Sequence, residues 1–215
     1  MSPDDFVQMY PTLWHMAELD NWPLIEEYGL LSTTALLDLF EYSGSARQAI
    51  ESAFRANSIQ IDHPGVGVAT IRDQRPMVSD AVVSKFLDVL SPAKWYKLLN
   101  SRVFFWVAEP RLERMLAAGL YRERPHKVLE LDTAQLLDRH LLEVTLSPIN
   151  SGAIFPMGTT RRGPQTFKRF DEYPWRDRLG RAEPVVELAV DRSLPDVMEL
   201  LRDVSVRKAP QKKKS

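Results

Sequence analysis

Cysteine is absent from the 215 residues. That excludes disulfides, thiolate metal sites and a cysteine nucleophile, and points to a reducing compartment. Long apolar runs are missing too: none approaches the ~20 residues that a bilayer-spanning helix needs. The first residues include Asp4 and Asp5 but neither the basic region nor the apolar core of a signal peptide, so a cytoplasmic protein is expected. There is no G-x-G-x-x-G, no Walker loop and no G-x-S-x-G elbow. The four histidines (His15, His63, His126, His140) lack H-E-x-x-H or other ligand spacing, which argues against a metal centre. Residues 1–32 contain no basic side chain against six acidic ones.

What is present suits a globular chain with a sizeable core: 44% of residues are hydrophobic and 27% charged. The net charge of −1 hides an uneven distribution. Residues 160–181 hold seven Arg or Lys against three Asp or Glu, and residues 207–215 add five more basic groups. These segments either face phosphate or form a solvated loop and a disordered tail.

Patterning predicts mixed strands and helices. Residues 13–17 read as a strand, and Trp22–Tyr28 as a helix with Pro23 in its first turn and Gly29 as its stop. Ser32 or Thr33 is placed to cap a helix running to Phe40, and another helix is predicted over 46–55. "SIQI" and "GVGVATI" read as strands around a His-Pro-Gly turn. An amphipathic helix is predicted over 80–90, then "SPAKWYKLL", opened by Ser91 and Pro92 and closed by Asn100. "VFFWV" (103–107) reads as a buried strand, after which Pro110 starts "RLERMLAAGL". "KVLELD", "LEVTL" and "VVELAV" are strands; Asp132 or Thr133 caps a helix between the first two, and Pro195 opens a short helix after the last. Residues 147–184, rich in Gly, Pro and Arg, are too long for a plain connection and are either functional or disordered. Without regular βαβ alternation, α+β is favoured over a doubly wound sheet.

Three places carry candidate chemistry. In "VVELAV" Glu187 is the single charge among apolar residues, with Val185 and Ala189 on its face and Val186, Leu188 and Val190 on the better core face. Its face either lines a cleft or meets solvent. His15, between Trp14 and Met16, is either functional or a hydrogen-bonded structural histidine. In "IRDQRPM" (71–77) Arg72 and Arg75 either hold phosphates through forked donors or pair with carboxylates such as Asp73.

Together these pieces resemble the ADP-ribosyltransferase superfamily, most closely the DarT family of DNA ADP-ribosyltransferase toxins. The resemblance rests first on the strand histidine His15, the turn Asp20-Asn21, the helix Trp22–Tyr28 and "GLLS" (29–32). "VFFWVAEPRLERML" is similar to that family's aromatic strand followed by an arginine and an apolar helix. "VELAVDRSLPDVMELL" is similar to its catalytic-glutamate strand, with Glu187 at the glutamate position. The match covers both ends and part of the middle, while residues 41–100 have no counterpart. Two positions depart: Phe104, Phe105 or Trp106 stands where many superfamily members have a tyrosine, and Ala17 replaces the threonine that follows the strand histidine in many of the toxins. A bacterial family of unassigned function is expected.

The resemblance implies one α+β domain over residues 1–206, with split mixed or antiparallel sheets, surrounding helices and a mostly helical insertion at about 41–100, followed by a basic disordered tail, 207–215. It implies an NAD-dependent mono-ADP-ribosyltransferase, NAD serving as co-substrate. Glu187 is catalytic in that scheme, and His15, Asn21, Phe105, Trp106 and Arg111 bind the nucleotide. Arg72, Arg75, Arg161, Arg162 and Phe167 meet the acceptor. Single-stranded nucleic acid is preferred to an acidic protein target, because arginines among aromatics suit phosphate pairing and base stacking. A toxin would bring an antitoxin as a further partner; no membrane partner is expected. The alternatives are an RNA 2′-phosphotransferase or NAD-hydrolysing enzyme of the same fold, and a non-catalytic binding module with a decayed NAD site.

Overall fold

The computed structural model describes residues 1–75, 77, 79–154 and 159–209. Its first half runs α1 (Pro3–Met9), β1 (Thr12–Ala17), α2 (Trp22–Tyr28), β2 (Leu30–Leu31), α3 (Thr33–Leu39), α4 (Gly44–Glu51), β3 (Ile59–His63), β4 (Gly67–Ile71), α5 (Asp80–Val83) and α6 (Pro92–Asn100). The second half runs β5 (Arg102–Trp106), α7 (Glu109–Leu116), β6 (His126–Asp132), α8 (Thr133–His140), β7 (Val144–Ser147), β8 (Lys168–Arg169), α9 (Trp175–Arg178), β9 (Glu187–Asp191), β10 (Ser193–Leu194) and β11 (Leu201–Arg207). Seven strands form one sheet in the order β11-β6-β1-β5-β9-β7-β8, antiparallel throughout. Two smaller antiparallel pairs, β2 with β10 and β3 with β4, lie outside it, so the fold is α+β. Among the described residues no helix is long and apolar enough to cross a membrane.

Side-chain alternation sorts the sheet into two faces. Leu13, Val103, Phe105, Leu129, Leu131, Leu188 and Val190 join one core with α1, α8 and the segment around α9. On the other face Met16 and Val128 pack against Leu112 and Leu116 of α7. Local signals act as their chemistry dictates. Ser32 Oγ accepts from Ala35 N–H at 3.1 Å to open α3, and Asp132 accepts from Gln135 N–H at 3.0 Å to open α8. Gly29 ends α2 at φ +76°, and a Cβ there would run into the Leu194 carbonyl and Pro195.

One junction of the sheet is open. β1 pairs with β6 along its whole length, from Thr12↔Asp132 to Ala17↔Lys127. Toward β5 it has the single register pair Trp14↔Trp106 among the described residues. The strands part beside that pair, leaving backbone groups of β5 without ladder partners on that side.

Several expectations change. The helix expected over 80–90 stops after α5 and one 3₁₀ turn, because the chain pairs with Arg162 instead: Arg162 N–H donates to Phe86 O at 2.8 Å and Asp88 N–H to Arg162 O at 2.7 Å. The helix expected over 46–55 is α4, ending at Glu51; Arg55 turns inward and donates to Asn100 Oδ1 at 3.0 Å. Residues 41–100 are not mostly helical, since the β3–β4 hairpin sits among short helices. The helix after Pro195 is a 3₁₀ turn, Val197–Glu199, followed by the unexpected strand β11. Arg207, assigned to a disordered tail, ends that strand and pairs with Glu109 and Glu130; residues 210–215 lie outside the described residues. Phe167, Phe170, Tyr173 and Trp175, expected to be available to bases, are buried.

Candidate functional site

β9 places the first group. Antiparallel partners share a face, so Glu187 lies with Trp106, Ala189 with Phe104 and Asp191 with Arg102. Trp14, opposite Trp106, faces the same way. Phe105 is opposite Leu188 on the other face and is 1% exposed in the core. Its ring centre lies 5.6 Å from that of His15 and it lines one cavity with His15 and Glu187, whereas Phe104 and Trp106 are the β5 rings on the Glu187 face.

Glu187 is only 3% exposed. Its Oε2 accepts two hydrogen bonds from Ser151, from the amide at 3.1 Å and from the hydroxyl at 2.7 Å. Oε1 has no protein partner among the described residues. Burial pushes the carboxyl up to about 7, against the opposing pull of the Ser151 bonds and of Arg111 and Arg162.

His15 reaches the site through the open junction. Strand alternation gives it the face of Leu13 and Ala17, but its Nδ1 lies 2.9 Å from the carbonyl of Phe104. A carbonyl only accepts, so Nδ1 carries the proton and Nε2 is an acceptor without a protein partner among the described residues. Burial pushes the imidazole down to about 4, opposed by the Phe104 bond and helped by Arg72, so it is neutral at pH 7.

Three adjoining cavities cover this region. One of about 140 Å³ is lined by His15, Arg72, Phe104, Trp106 and Glu187 together. A second of about 270 Å³ extends from His15 toward Thr33 and Arg102, and a third of about 260 Å³ from Glu187 toward Ser151 and Arg75. Phe104 lines all three.

The other expected residues divide by what already binds them. Asn21 lines the second cavity, but its amide is committed to the hairpin: Nδ2 donates to Thr70 O at 2.9 Å and Oδ1 accepts from Thr70 N–H at 2.8 Å. Arg72 lines the cleft while donating to Glu18 at 2.8 Å and Met16 O at 2.9 Å; its Nη2 is sealed in without a hydrogen bond, and its guanidinium lies 5.5 Å from the Tyr121 ring centre. Arg111 lies outside the three cavities and is held by Glu183 through two hydrogen bonds, so it acts on Glu187 through charge rather than contact. Arg75 lines the third cavity and donates to Asn57 at 3.2 Å. Arg161 pairs with Asp88 at 2.7 Å, away from the cleft. Arg162 is 6% exposed and donates to the carbonyls of Thr160 and Ala153. Phe167 packs on Trp95 and under Arg102, whose guanidinium is 4.8 Å from its ring centre, so it presents no free face to a base.

Sequence reasoning missed Arg102, Phe104 as the central ring, and Ser151. Arg102 lines two cavities; its Nε is 3.2 Å from Asp191 Oδ1 and its Nη1 donates to Leu98 O at 2.8 Å. Its Nη2 has no protein partner among the described residues. The alternation of "RVFFWV" was enough to put Arg102 and Phe104 with Trp106 once the face of Trp106 was known. Nothing local in "SPINSG" marks Ser151, because its partner lies on a distant strand.

The model of one protein family, described as a family of unknown function (DUF7002), matches residues 11–201. The chain belongs to that family. The matched span contains His15, Arg102, Phe104, Ser151 and Glu187, so DUF7002 membership covers the cleft as well as most of the sheet. No curated protein and no solved structure matches the chain.

Proposed function

We propose that the cleft binds NAD and breaks its nicotinamide–ribose bond, passing ADP-ribose to an acceptor. The observation that carries this reading is one cavity lined by both His15 and Glu187, with Phe104 and Trp106 beside them. Breaking the glycosidic bond sends the bonding electron pair out with nicotinamide and leaves an oxocarbenium-like ribose. A fixed carboxylate in a low-dielectric site stabilises that developing cation more than the ground state. Oε1 of Glu187 is the oxygen available for this, or for accepting a ribose hydroxyl. Neutral His15 offers Nε2 as an acceptor to a second hydroxyl. Phe104 and Trp106 provide apolar faces for the nicotinamide ring. Arg102, rather than Arg111, has the donor free for the pyrophosphate. The acceptor nucleophile bonds to the ribose carbon and gives up its proton; when water takes this part the reaction is hydrolysis.

With the aromatics of 159–184 inside the protein, base stacking no longer argues for a nucleic-acid acceptor, and Arg75 is the acceptor-side cation on the Glu187 cavity. The 2′-phosphotransferase alternative needs free cations around a phosphate, whereas Arg72, Arg161 and Arg162 are engaged within the protein.

The test is nicotinamide release from NAD by the purified full chain, since release reports transfer and hydrolysis alike. Wild type should release it, Glu187→Gln should lose at least about a hundredfold in rate, and Phe104→Ala should raise KM. No release by wild type, together with no NAD binding by calorimetry, would sink the reading.

A further inference from the structure

The arginine-rich segment around 160–181 has a role inside the protein. We propose that Ser151 is a positioning residue for Glu187, and that Arg162 and Arg178 hold the Ser151 loop in place. The claim about position stands on geometry alone; it rests on the function proposed above only for what the carboxylate then does.

Ser151 gives both its donors to one oxygen, Oε2, from the hydroxyl at 2.7 Å and the amide at 3.1 Å. Two donors on one oxygen restrict the rotation of the carboxyl group and leave Oε1 without a protein partner among the described residues, in a side chain that lines the cavity shared with His15. Ser151 is 2% exposed, so water does not compete for these bonds. The loop carrying it is tied at both ends. On one side Arg178 Nη2 donates to Pro148 O at 3.2 Å, and Ser147 Oγ donates to Ile149 O at 2.9 Å. On the other, Arg162 Nη2 donates to Ala153 O. Arg178 is itself fixed by donating from Nε to Pro184 O at 3.1 Å, close before β9. Arg178 therefore joins the serine loop to the segment just before the strand that carries the glutamate, while Arg162 ties the loop's other end to Thr160 and, through its own backbone, to Phe86 and Asp88.

Both donors favour the ionised carboxylate, against burial, which favours the protonated one. Arg111 of α7 and Arg162 also act on its charge. His15, Glu18, Arg72, Asp73, Arg75 and Arg102 are the remaining charged or titratable groups among the described residues on these three cavities. Removing the Ser151 hydroxyl takes away a donor without changing any of these charges. Removing Arg178 loosens the loop and leaves Glu187, Ser151, Arg111 and Arg162 in place.

The experiment is a carbon-13 NMR titration of the full chain with glutamate side-chain carboxyls labelled and no NAD present. Glu187 is identified by the resonance that Glu187→Gln removes. Ser151→Ala should raise its midpoint by on the order of one pH unit, from the strength of a hydrogen bond to a charged group. Ser151→Thr, which keeps a hydroxyl, should return most of the shift. Arg178→Met should raise the midpoint by a smaller amount. An unchanged midpoint in folded Ser151→Ala overturns the proposal, and so does a shift that Ser151→Thr fails to reverse. Should Ser151→Ala not fold, Arg178→Met decides alone: an upward shift supports the proposal and none overturns it. Because no substrate is used, these results stand apart from whether NAD is cleaved. With NAD, the pH at which nicotinamide release rises should move with the same midpoint.

Discussion

Between pH 4.5 and about 7, folding keeps on Glu187 a proton that the unfolded chain gives up. The native state binds more protons there, so this group makes stability fall as pH rises across that window. His15 has the opposite sign: folding lowers it from 6.5 to about 4, the unfolded chain binds the extra proton, and stability rises with pH between those values. The two oppose each other over much of the acidic range. A single substitution separates them. Glu187→Gln should gain stability relative to wild type between pH 5 and pH 8 by up to about 3 kcal/mol, read from urea unfolding at each pH. Under the proposed chemistry, nicotinamide release should rise with pH through about 7 as the carboxylate forms. Phe104 and Phe105 give a second contrast at this scale. Phe105→Ala empties a core position and should cost about 3–5 kcal/mol. Phe104→Ala should cost less and instead weaken NAD binding, and calorimetry beside urea unfolding separates the two outcomes.

At the scale of elements, most of the secondary structure followed local signals and the departures followed distant partners. The α2 stop at Gly29, the caps of α3, α6 and α8 and the β3–β4 hairpin are where their residue types call for them. The helix expected over 80–90 had the right apolar spacing, but pairing with residue 162 carried the chain away, and no window of sequence contains both partners. β11 was hidden because a polar, half-exposed edge strand lacks a strong apolar alternation. Gly29→Ala should lower stability by about 2 kcal/mol or more, from positive φ and from collision with the turn at Leu194 and Pro195, visible as a lower Tm. Asn21→Ala should leave both backbone groups of Thr70 without partners and cost about 1–3 kcal/mol. Faster hydrogen exchange at the Thr70 amide is the specific sign that the hairpin has come loose, which a general loss of stability would not confine to that position.

For the whole molecule, the decisive feature is a sheet that closes on one side of β1 and opens on the other. The opening lets a histidine from the core-facing set reach a β5 carbonyl and line one cavity with a glutamate two strands away. Sheet closure also depends on β11 covering β6, so deletion from Leu201 onward should uncover that strand and leave an aggregating chain, measured by soluble yield and light scattering. The sequence by itself determined the α+β class, the positions of most elements and the two polar side chains set inside apolar strands, because periodicity and capping are encoded within a few residues. Only the tertiary structure decided which ring of "VFFWV" shares a face with Glu187, that a serine in a featureless loop holds that carboxylate, and that the arginine-rich segment binds its own backbone. Those outcomes depend on strand register and on burial of residues far apart in the chain, and neither quantity is contained in any local stretch.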